Sequence, residues 1–338
     1  MNCITEADAD PSILDGKTLA VLGYGNQGRP QALNLRESGS SIIVGAREGR
    51  GAWKRAMEDG FAVMGLSDAA RRADVVMMLL PDEIQGDVFK SEIEGKLRPG
   101  AAMCFAHGFA LAFGEIRTDR YDLVLVAPKG QGGQLREAYL EGSGLPCLIG
   151  VERDITGSAR AIALAIARGL GCLRVGGIET TFREEAVSDL FGEQAVLCGG
   201  VPAVMKRAFD VLIRRGYRPE VAYFECVHEL KIIVDLFTRL GFAGMREVIS
   251  GTAAFGSLAF GEALIGDDVE AAMEKLFERI ESGEFARIWL EEKRSGGGAF
   301  AELRERERGL LIETVGKRVR EMARSGHSPS ANTGVGEK

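Results

Sequence analysis

Two pairs of carboxylates carry the most specific chemical signal in this sequence. Asp189 and Glu193 lie four residues apart, as do Glu225 and Glu229, so each pair shares one face of a helix. Like charges at this spacing cost about 0.2–0.5 kcal/mol in an exposed helix. Apolar and small residues surround both pairs, so the carboxylates need compensation, which hard divalent cations supply. Oxygen-only ligands favour Mg²⁺ or Mn²⁺ over zinc, and the pattern therefore predicts a metal centre.

A structural interpretation of the same four carboxylates stays open. In it they form ion pairs with Arg183, Lys206 or Lys231. His228 lies between Glu225 and Glu229 and is interpreted as a packing residue, or as a support for the ligands, rather than as a ligand itself.

A histidine and a lysine each follow directly on an apolar run. His107 stands in FAHGF and Lys129 in APKGQG. Ligands of an open α/β sheet bind at the carboxyl ends of its strands. Both side chains are therefore candidates for proton transfer or electrostatic stabilisation. The alternative is that each is a loop residue bonded to nearby carbonyls.

A glycine-rich turn follows the first apolar run and opens a helical pattern. Its residues are Gly23-Tyr24-Gly25-Asn26-Gln27-Gly28. Glycines at these positions permit a tight turn and let the backbone approach a pyrophosphate at the helix N-terminus. In this strand–turn–helix context the motif predicts a dinucleotide cofactor, the alternative being a purely structural glycine turn.

The end of the second apolar run bears on the choice of cofactor. An acidic residue there would indicate NAD, but the sequence places Arg47 and Arg50 in the loop, with Glu48 between them. Two guanidiniums suit the additional phosphate of NADP, whereas Glu48 could serve a ribose hydroxyl. The loop favours NADP over NAD, and a solvated basic turn is the structural alternative.

Short apolar runs alternate with helical patterns through the first half of the chain. The runs cover 18–25, 41–46, 73–81, 101–108, 122–130 and 146–151. They are continuous rather than alternating, which is typical of strands buried on both faces of a parallel sheet. Helical patterns between them, such as 31–39 and 53–60, end in glycine. The order predicts a doubly wound α/β domain of Rossmann type.

Long helical patterns dominate after about residue 180. They cover 201–216, 220–241 and 269–296, with few strand signals. We therefore expect an α/β domain over 1–181, a helical domain over 182–327 and a flexible tail over 328–338.

Composition excludes several classes of protein. Glycine makes up 45 of 338 residues, roughly twice its usual share, but without collagen periodicity. The net charge of −7 and the lack of a basic stripe argue against nucleic acid as a partner. No apolar stretch approaches the roughly 20 residues of a membrane span. The six scattered cysteines fit free, mostly buried thiols, and we expect a cytoplasmic protein.

Taken together, the motifs resemble those of the ketol-acid reductoisomerase (acetohydroxy acid isomeroreductase) family in its short, class I form. The resemblance covers nearly the whole chain, and DLFGEQAVLCGG and FECVHELK are its most specific segments. The other segments are DADPSILDGKTLAVLGYGNQG, PDEIQ, FAHGF, PKGQG and IETVGKRVREM.

The resemblance implies a Rossmann domain followed by an all-helical, knotted domain that completes its active site across a homodimer or larger homo-oligomer. It implies two Mg²⁺ ions, held by Asp189 and Glu193 and by Glu225 and Glu229, with the second pair from the partner subunit. The implied substrate is a 2-hydroxy-2-alkyl-3-keto acid such as 2-acetolactate or 2-aceto-2-hydroxybutyrate. Its alkyl group would migrate, and hydride from NADPH would follow, in valine and isoleucine biosynthesis.

The resemblance also implies roles for single residues. Lys129 and Glu229 would handle protons, His107 would position water or charge, and Ser250 would hold the substrate carboxylate. NADPH is the implied cofactor, with NADH possible. The implied cofactor-binding residues are Tyr24, Gly25, Asn26, Gln27, Gly28, Arg47, Arg50, Asp82, Gln85 and Gly133.

Four segments depart from the family pattern. The usual GYGSQGHAHALNL reads GYGNQGRPQALNL, and the serines of R-x-G-S-x-S are absent from Arg47–Ala52. PKGPGH reads PKGQGG, and ISDTAEYGD reads ISGTAAFGS over Ile249–Ser257. A working reductoisomerase is the favoured interpretation because all four carboxylates survive. A paralogue acting on another 2-keto acid and a catalytically silent dinucleotide-binding scaffold are the alternatives.

Overall fold

The structure, a computed structural model, describes residues 2–325. The chain forms two compact units that divide between Asp189 and Leu190. The predicted tail over 328–338 lies outside the described residues. Within the described part, no helix is both long and apolar enough to cross a bilayer.

An eight-stranded sheet forms the centre of the first unit. Its order is β3-β2-β1-β4-β5-β6-β7-β8. The strands are β1 Thr18–Leu22, β2 Ser41–Gly45, β3 Ala62–Met64, β4 Val75–Met78, β5 Ala102–Phe105, β6 Asp122–Pro128, β7 Cys147–Arg153 and β8 Gly177–Glu179. Six of them match the predicted apolar runs. β3 and β8 were not predicted, because their three residues each offer too short an apolar run to recognise.

The predicted parallel sheet is confirmed except at one pair of strands. β7 pairs antiparallel with β6, while every other neighbouring pair is parallel. After β6 ends at Pro128, the next helix and its loop return the chain to the same edge of the sheet, where Pro128 faces Cys147. The strand that follows can then only run in the opposite direction.

Helices cover both faces of the sheet. They are α1 Gly28–Glu37, α2 Gly51–Glu58, α3 Leu66–Arg72, α4 Asp82–Val88, α5 Phe109–Ala112, α6 Gly132–Leu140 and α7 Ala159–Gly169. Alternate residues of β1 belong to two separate cores: Leu19 and Val21 to one, Ala20 and Leu22 to the other. A strand buried on both faces confirms the doubly wound α/β prediction. Glycines end two of the predicted helical patterns, at Gly39 and Gly60, both with positive φ.

The second unit is helical throughout residues 190–325. Its helices are the end of α8 Phe182–Gly192, then α9 Gly200–Arg214, α10 Pro219–Tyr223, α11 Leu230–Val248, α12 Gly251–Leu264, α13 Asp267–Glu281, α14 Glu284–Arg294, α15 Gly298–Arg308 and α16 Leu311–Ser325. This confirms a helical C-terminal domain, whereas the knot stays a prediction. The helical pattern over 269–296 corresponds to two helices, α13 and α14, which Gly283, with φ +76°, separates.

The cysteines bear out the expectation of free thiols in part. All six are free, and Cys104, Cys147 and Cys172 are buried. Cys3 and Cys198 are exposed, so burial holds for only half of the set.

Candidate active site

Three adjacent strands deliver candidate residues to one edge of the sheet. Asp82 follows β4, His107 follows β5 and Lys129 follows β6. The order β4-β5-β6 and their parallel pairing bring the carboxyl ends of these strands side by side. The prediction that His107 and Lys129 stand at strand ends is thus confirmed, at the edge where open α/β sheets bind ligands.

A cluster of opposite charges joins this edge to α8. Lys129 Nζ donates to Glu185 Oε1 at 2.8 Å and to Asp189 Oδ1 at 3.0 Å. His107 Nδ1 lies 2.9 Å from Glu185 Oε2 and 3.7 Å from Asp189 Oδ2. The backbone N–H of Gly108 also donates to Glu185 Oε2, at 2.7 Å. Glu185 is almost fully buried. Because its two oxygens contact Lys129 and His107, this one carboxylate holds both strand-end side chains in place.

Mutual charge fixes the protonation states of this cluster. Burial by itself would lower the pKa of His107, but the hydrogen bond and negative charge of Glu185, with Asp82 and Asp189 nearby, raise it to about 9. Burial would likewise raise the pKa of Glu185, but His107 and Lys129 lower it to about 2. At neutral pH these values give an imidazolium next to a carboxylate.

Asp82 behaves in the opposite way to Glu185. Burial raises the pKa of Asp82 to about 6, with the charge of His107 opposing the shift and those of nearby carboxylates adding to it. The buried Gln85 donates to Leu80 O at 2.8 Å and to Asp82 Oδ1 at 3.1 Å. Gln85 Oε1 is buried and has no hydrogen-bond partner. A polar ligand group at this edge of the sheet would satisfy it.

The glycine-rich turn has the geometry of a dinucleotide cradle. Gly23 has φ +94°, and a Cβ there would lie 2.6 Å from the Leu79 carbonyl oxygen. A Cβ on Gly28 would lie 1.9 Å from the Gly23 carbonyl oxygen. A Cβ on Gly25 would instead meet no atom within 4 Å. Two glycines thus shape the turn, while the third leaves exposed backbone open to a pyrophosphate, so these residues fit a dinucleotide.

The side chain of Tyr24 turns away from the glycine-rich loop into the core. Its hydroxyl donates to Asp59 Oδ2 at 2.8 Å, and its ring packs edge-on against Phe61. Arg29 Nε donates to the same oxygen at 2.7 Å. Of Tyr24, which belongs to the predicted cofactor-binding set, only the backbone therefore faces the cofactor side of the loop.

The loop after β2 is exposed and rich in guanidinium groups. Arg47, Glu48 and Arg50 are all exposed, and Arg50 directly precedes α2, at its N-cap position, without a capping bond from its side chain. Arg55 on α2 reaches back to the glycine-rich loop, where its Nη2 lies 3.4 Å from the Tyr24 carbonyl oxygen. The predicted residues thus face solvent beside the cradle, with a third arginine that the sequence analysis did not single out.

The remaining predicted cofactor residues lie where the glycine-rich loop meets the start of α6. Asn26 is exposed, and Gly133, the second residue of α6, is exposed with open space around it. Gln27 is half-buried, and its Nε2 donates to the Gly130 carbonyl oxygen at 3.1 Å. The side chain of Gln27 is therefore engaged by protein.

The other proposed metal ligands lie in the second unit. Glu193, Glu225 and Glu229 are exposed there, so the expectation that apolar surroundings leave the carboxylates in need of compensation is wrong for these three. Glu193 begins a π-helical turn over Glu193–Leu197, and Glu225 lies within a second one over Phe224–His228. Single π-turns inserted in α-helices are frequent at functional sites. His228 packs edge-on against Phe224, as expected for a packing residue.

Two of the three cations in the structural alternative bind elsewhere. Lys206 forms an ion pair with Glu307 at 3.0 Å, and Lys231 pairs with Asp235 on its own helix. Within the part of the chain that the structure describes, the predicted ion pairs with these two lysines are therefore not formed, whereas Asp189 does form an ion pair, with Lys129 at 3.0 Å.

Ser250 occupies the N-cap of α12. Its Oγ accepts a hydrogen bond from the Ala253 N–H at 3.2 Å, and the residue is exposed. A serine hydroxyl at a helix N-terminus suits a carboxylate ligand, and its role in substrate binding stays a prediction.

Glu185 is the residue that sequence reasoning missed. It lies four residues before Asp189, so the spacing that singled out Asp189 and Glu193 extends one turn further back. Potential ligand atoms of His107, Glu185 and Asp189 lie within 4.8 Å of one another. Because His107 is held as an imidazolium and Lys129 bonds both carboxylates, the cluster as it stands is an ion-pair network in which Asp189 is the proposed metal ligand.

The cradle, the exposed arginine loop and the charged cluster at the strand ends define a Rossmann-type dinucleotide-binding oxidoreductase. Residues 13–176 match the domain family described as acetohydroxy acid isomeroreductase, NADPH-binding domain. Residues 182–325 match the ketol-acid reductoisomerase C-terminal domain. The chain belongs to the ketol-acid reductoisomerase family.

Solved structures agree with this assignment. An NADH-preferring ketol-acid reductoisomerase from an uncultured archaeon is 43% identical, with a TM-score of 0.92 over 95% of this chain and 99% of its own. A semialdehyde dehydrogenase NAD-binding protein from Cupriavidus necator, solved with calcium and NAD, is 20% identical, with a TM-score of 0.61 over 80% of this chain and 98% of its own. A pyrroline-5-carboxylate reductase from Coxiella burnetii is 13% identical, with a TM-score of 0.54 over 79% of this chain and 98% of its own. The last two share the fold alone.

Proposed function

We propose that this protein catalyses the ketol-acid reductoisomerase reaction on 2-acetolactate and 2-aceto-2-hydroxybutyrate. The product is a 2,3-dihydroxy-3-alkyl acid, which is an intermediate in valine and isoleucine biosynthesis. The observation that carries the proposal is the cluster in which Lys129 bonds both Glu185 and Asp189 beside His107. This cluster supports the proposal because a lysine, a histidine and two carboxylates lie together at the carboxyl ends of the strands in a chain of this family.

The reaction requires a proton to leave the C2 hydroxyl while the alkyl group moves from C2 to C3. The C3 oxygen then takes up a proton, hydride is delivered to C2, which has become a carbonyl carbon, and the C2 oxygen takes up a second proton. In our proposal Lys129 and Glu229 manage these protons, and Ser250 with the N-terminus of α12 binds the substrate carboxylate. His107, held as an imidazolium by Glu185, orients water and balances negative charge on oxygen.

Two Mg²⁺ ions complete the proposed site. We assign Asp189, Glu193, Glu225 and Glu229 to hold them, supported by their all-oxygen chemistry and by the π-helical turns at two of these positions. Bound Mg²⁺ supplies Lewis acidity to the two reacting oxygens. Asp189 Oδ1 accepts from Lys129, which fixes the carboxylate for this role.

The proposed hydride donor is NADPH. Arg47 and Arg50 surround one carboxylate, Glu48, in the exposed loop after β2, and guanidiniums bind a phosphate bidentately. NADPH should therefore bind more tightly than NADH. Calorimetric titration of each dinucleotide into the protein tests this, and tighter binding of NADH, the preference of the archaeal relative, would overturn it.

A homodimer is the proposed assembly. Helix α12 has no buried residue, and Phe255 and Phe260 are 71% and 67% exposed although the helix is predominantly apolar. An apolar helix of this length needs a covering surface, and a second copy of the chain supplies one.

One assay tests the reaction. Purified protein with Mg²⁺ and NADPH is given 2-acetolactate, and loss of nicotinamide absorbance is followed. We expect turnover that Glu225→Gln abolishes and that the control Glu220→Gln, an exposed glutamate on the preceding helix α10, leaves intact. Absence of turnover with 2-acetolactate would refute the proposal.

The same assay separates a second candidate function. The apolar surface of Ala254 and Phe255, beside Ser250, favours a paralogue that acts on a different 2-keto acid with the same metals and cofactor. Oxidation of NADPH with a simple 2-keto acid, but not with 2-acetolactate, would indicate this paralogue. Cofactor binding without turnover of any keto acid would indicate a silent scaffold.

A further inference from the structure

A hydrogen bond crosses from the glycine-rich loop to the loop that carries Lys129. Gln27 Nε2 donates to the Gly130 carbonyl oxygen at 3.1 Å, across 103 positions of sequence. Gly130 directly follows Lys129, whose own N–H donates to the Pro146 carbonyl at 2.8 Å. The Gln27 side chain is therefore hydrogen-bonded to the backbone of Gly130, the residue that follows Lys129.

A second glutamine holds the first in position. Gln31 Nε2, one turn along α1, donates to Gln27 Oε1 at 3.1 Å. This bond orients the Gln27 amide so that its Nε2 faces the Gly130 carbonyl. Gln31 is completely buried, and its Oε1 has no hydrogen-bond partner. A buried amide that satisfies only its donor side is costly to stability, so packing alone does not account for it.

The two loops also touch through their backbones. A Cβ on Gly132 would lie 1.7 Å from the Asn26 carbonyl oxygen and 3.1 Å from Pro30 Cγ. Only a glycine permits this approach. The contact limits the distance between the loops, and the Gln27 bond fixes how the Lys129 loop is turned within that limit.

We propose that Gln27, supported by Gln31, is a positioning residue that sets the Lys129 loop against the dinucleotide loop. Lys129 Nζ bonds Glu185 and Asp189 at the strand ends, so a shift of its backbone moves the ammonium group relative to both carboxylates. A displacement of about 1 Å in a reacting group can cost about 100-fold in rate. The proposal rests on the proposed function for its rate readout, but its geometry is independent of turnover.

The hydrogen bonds from Gln31 to Gln27 and from Gln27 to Gly130 are together called the relay. Two methionine variants test this relay through kinetics. Gln27→Met and Gln31→Met keep side-chain length and remove the hydrogen bonds. We expect kcat to fall by about 10-fold in Gln27→Met and less in Gln31→Met, with the NADPH Kd within about 2-fold of the parent. Gln31→Met should also unfold no more easily than the parent, because it removes the unpartnered oxygen.

Arg136→Met is the matched control. Arg136 Nη1 bonds Asn34 Oδ1 at 2.8 Å and Glu37 Oε2 at 2.9 Å, so it ties α6 to α1 without touching the Lys129 loop. We expect its kcat to stay at the parent value. Equal losses of kcat in Arg136→Met and Gln27→Met, or a loss carried entirely by the NADPH Kd, would overturn the proposal.

Hydrogen exchange tests the relay without turnover. In the parent, NADPH binding at the glycine-rich loop should slow amide exchange over residues 129–131 as well as over 23–28. Gln27→Met should lose the added protection at 129–131 and keep it at 23–28, whereas Arg136→Met should keep both. Retained protection at 129–131 in Gln27→Met would refute the relay. A parent that protects 129–131 on NADPH binding but does not turn over 2-acetolactate would instead refute the proposed function.

Discussion

A single buried carboxylate organises the charged cluster at the strand ends. Glu185 accepts hydrogen bonds from His107, Lys129 and the Gly108 N–H, and its side chain is 1% exposed. A carboxylate removed from water is tolerable only when it is paired and hydrogen-bonded, which is the case here. Removing the charge of Glu185 should therefore change the pKa values of the groups bonded to it more than those of groups at the surface.

Replacing Glu185 should lower the pKa of His107. In the metal-free protein, Glu185→Gln removes the hydrogen bond and charge that hold this pKa at about 9, so burial then acts to lower it. NMR titration of the three histidines measures the shift. The control is Glu184→Gln, an exposed neighbour that bonds Thr180. An unchanged pKa in Glu185→Gln would contradict the assignment.

The ion pair of His107 and Glu185 makes the stability of the protein depend on pH. Because the pKa of His107 is raised from 6.5 to about 9 in the folded state, its contribution to the free energy of unfolding is fully present below pH 6.5 and is lost as the pH rises through about 9. The denaturant midpoint of the metal-free parent should fall over this interval. Glu185→Gln should show a smaller decline.

A second ion pair stabilises the glycine-rich loop from behind. Arg29 and Tyr24 both donate to Asp59, and the Arg29 hydrogen bond in particular lowers the pKa of this carboxyl from 3.8 to about 2. Asp59→Asn should cost about 1–2 kcal/mol at neutral pH, after allowance for the half-exposed guanidinium. Because the stabilisation from a lowered carboxyl pKa is fully present above 3.8 and is lost as the pH falls through about 2, the difference from the parent should vanish over that interval. Urea unfolding measures it, with the exposed Asp119→Asn as control; a difference independent of pH would be inconsistent with the ion pair.

At the scale of elements, two neighbouring glycines of α6 differ in their surroundings: Gly132 is closely packed, whereas Gly133 has open space around it. A methyl group on Gly132 would meet the Asn26 carbonyl at 1.7 Å, whereas one on Gly133 meets nothing within 4 Å. Gly132→Ala should therefore cost about 1–3 kcal/mol of stability, and Gly133→Ala no more than about 0.5 kcal/mol. Thermal and urea unfolding compare the two. Equal effects would mean that the two loops do not touch as described.

The glycine-rich turn allows a similar separation of binding from folding. Gly25→Ala creates no clash in the folded chain, so stability should change by less than about 0.5 kcal/mol. Its methyl group would stand where a pyrophosphate approaches the backbone, so the NADPH Kd should rise by about 10-fold or more. Calorimetry measures this Kd, and unaltered binding would place the pyrophosphate elsewhere. Gly28→Ala, with its Cβ 1.9 Å from the Gly23 carbonyl, should lose stability as well.

At the scale of the whole molecule, the two units differ in how they bury apolar side chains. The first unit has a core on each face of its sheet, whereas the core of the second includes Phe209, Tyr223 and Val319 but leaves α12 exposed. An exposed helix that is predominantly apolar needs a partner surface, which the proposed dimer supplies.

A charge on α12 should therefore weaken the assembly. Phe260→Glu places a carboxylate on the exposed apolar helix, and light scattering after gel filtration should show a larger monomer fraction than for the parent. The control Ala301→Glu puts the same charge on an exposed position of the polar helix α15. A parent that is already monomeric would contradict the proposed dimer.

The sequence by itself determined those features whose residues are contiguous in the chain. The turn over Gly23–Gly28 is one strand–turn–helix unit, and His107 and Lys129 each directly follow a buried strand. Local conformation and the rule for strand ends suffice for such features. The paired carboxylates were also visible, because i, i+4 spacing is a property of a single helix.

Only the tertiary structure decided which of these residues meet. Lys129 and Glu185 are 56 positions apart, and His107 and Glu185 are 78, so their cluster depends on the sheet order and on where α8 lies. The Gln27 bond to Gly130 spans 103 positions and depends on the approach of Gly132 to Asn26. Likewise β7 runs antiparallel because the chain returns to the edge where β6 ended. Hydrogen-bond geometry between distant segments is set by packing, and no local pattern in the sequence encodes it.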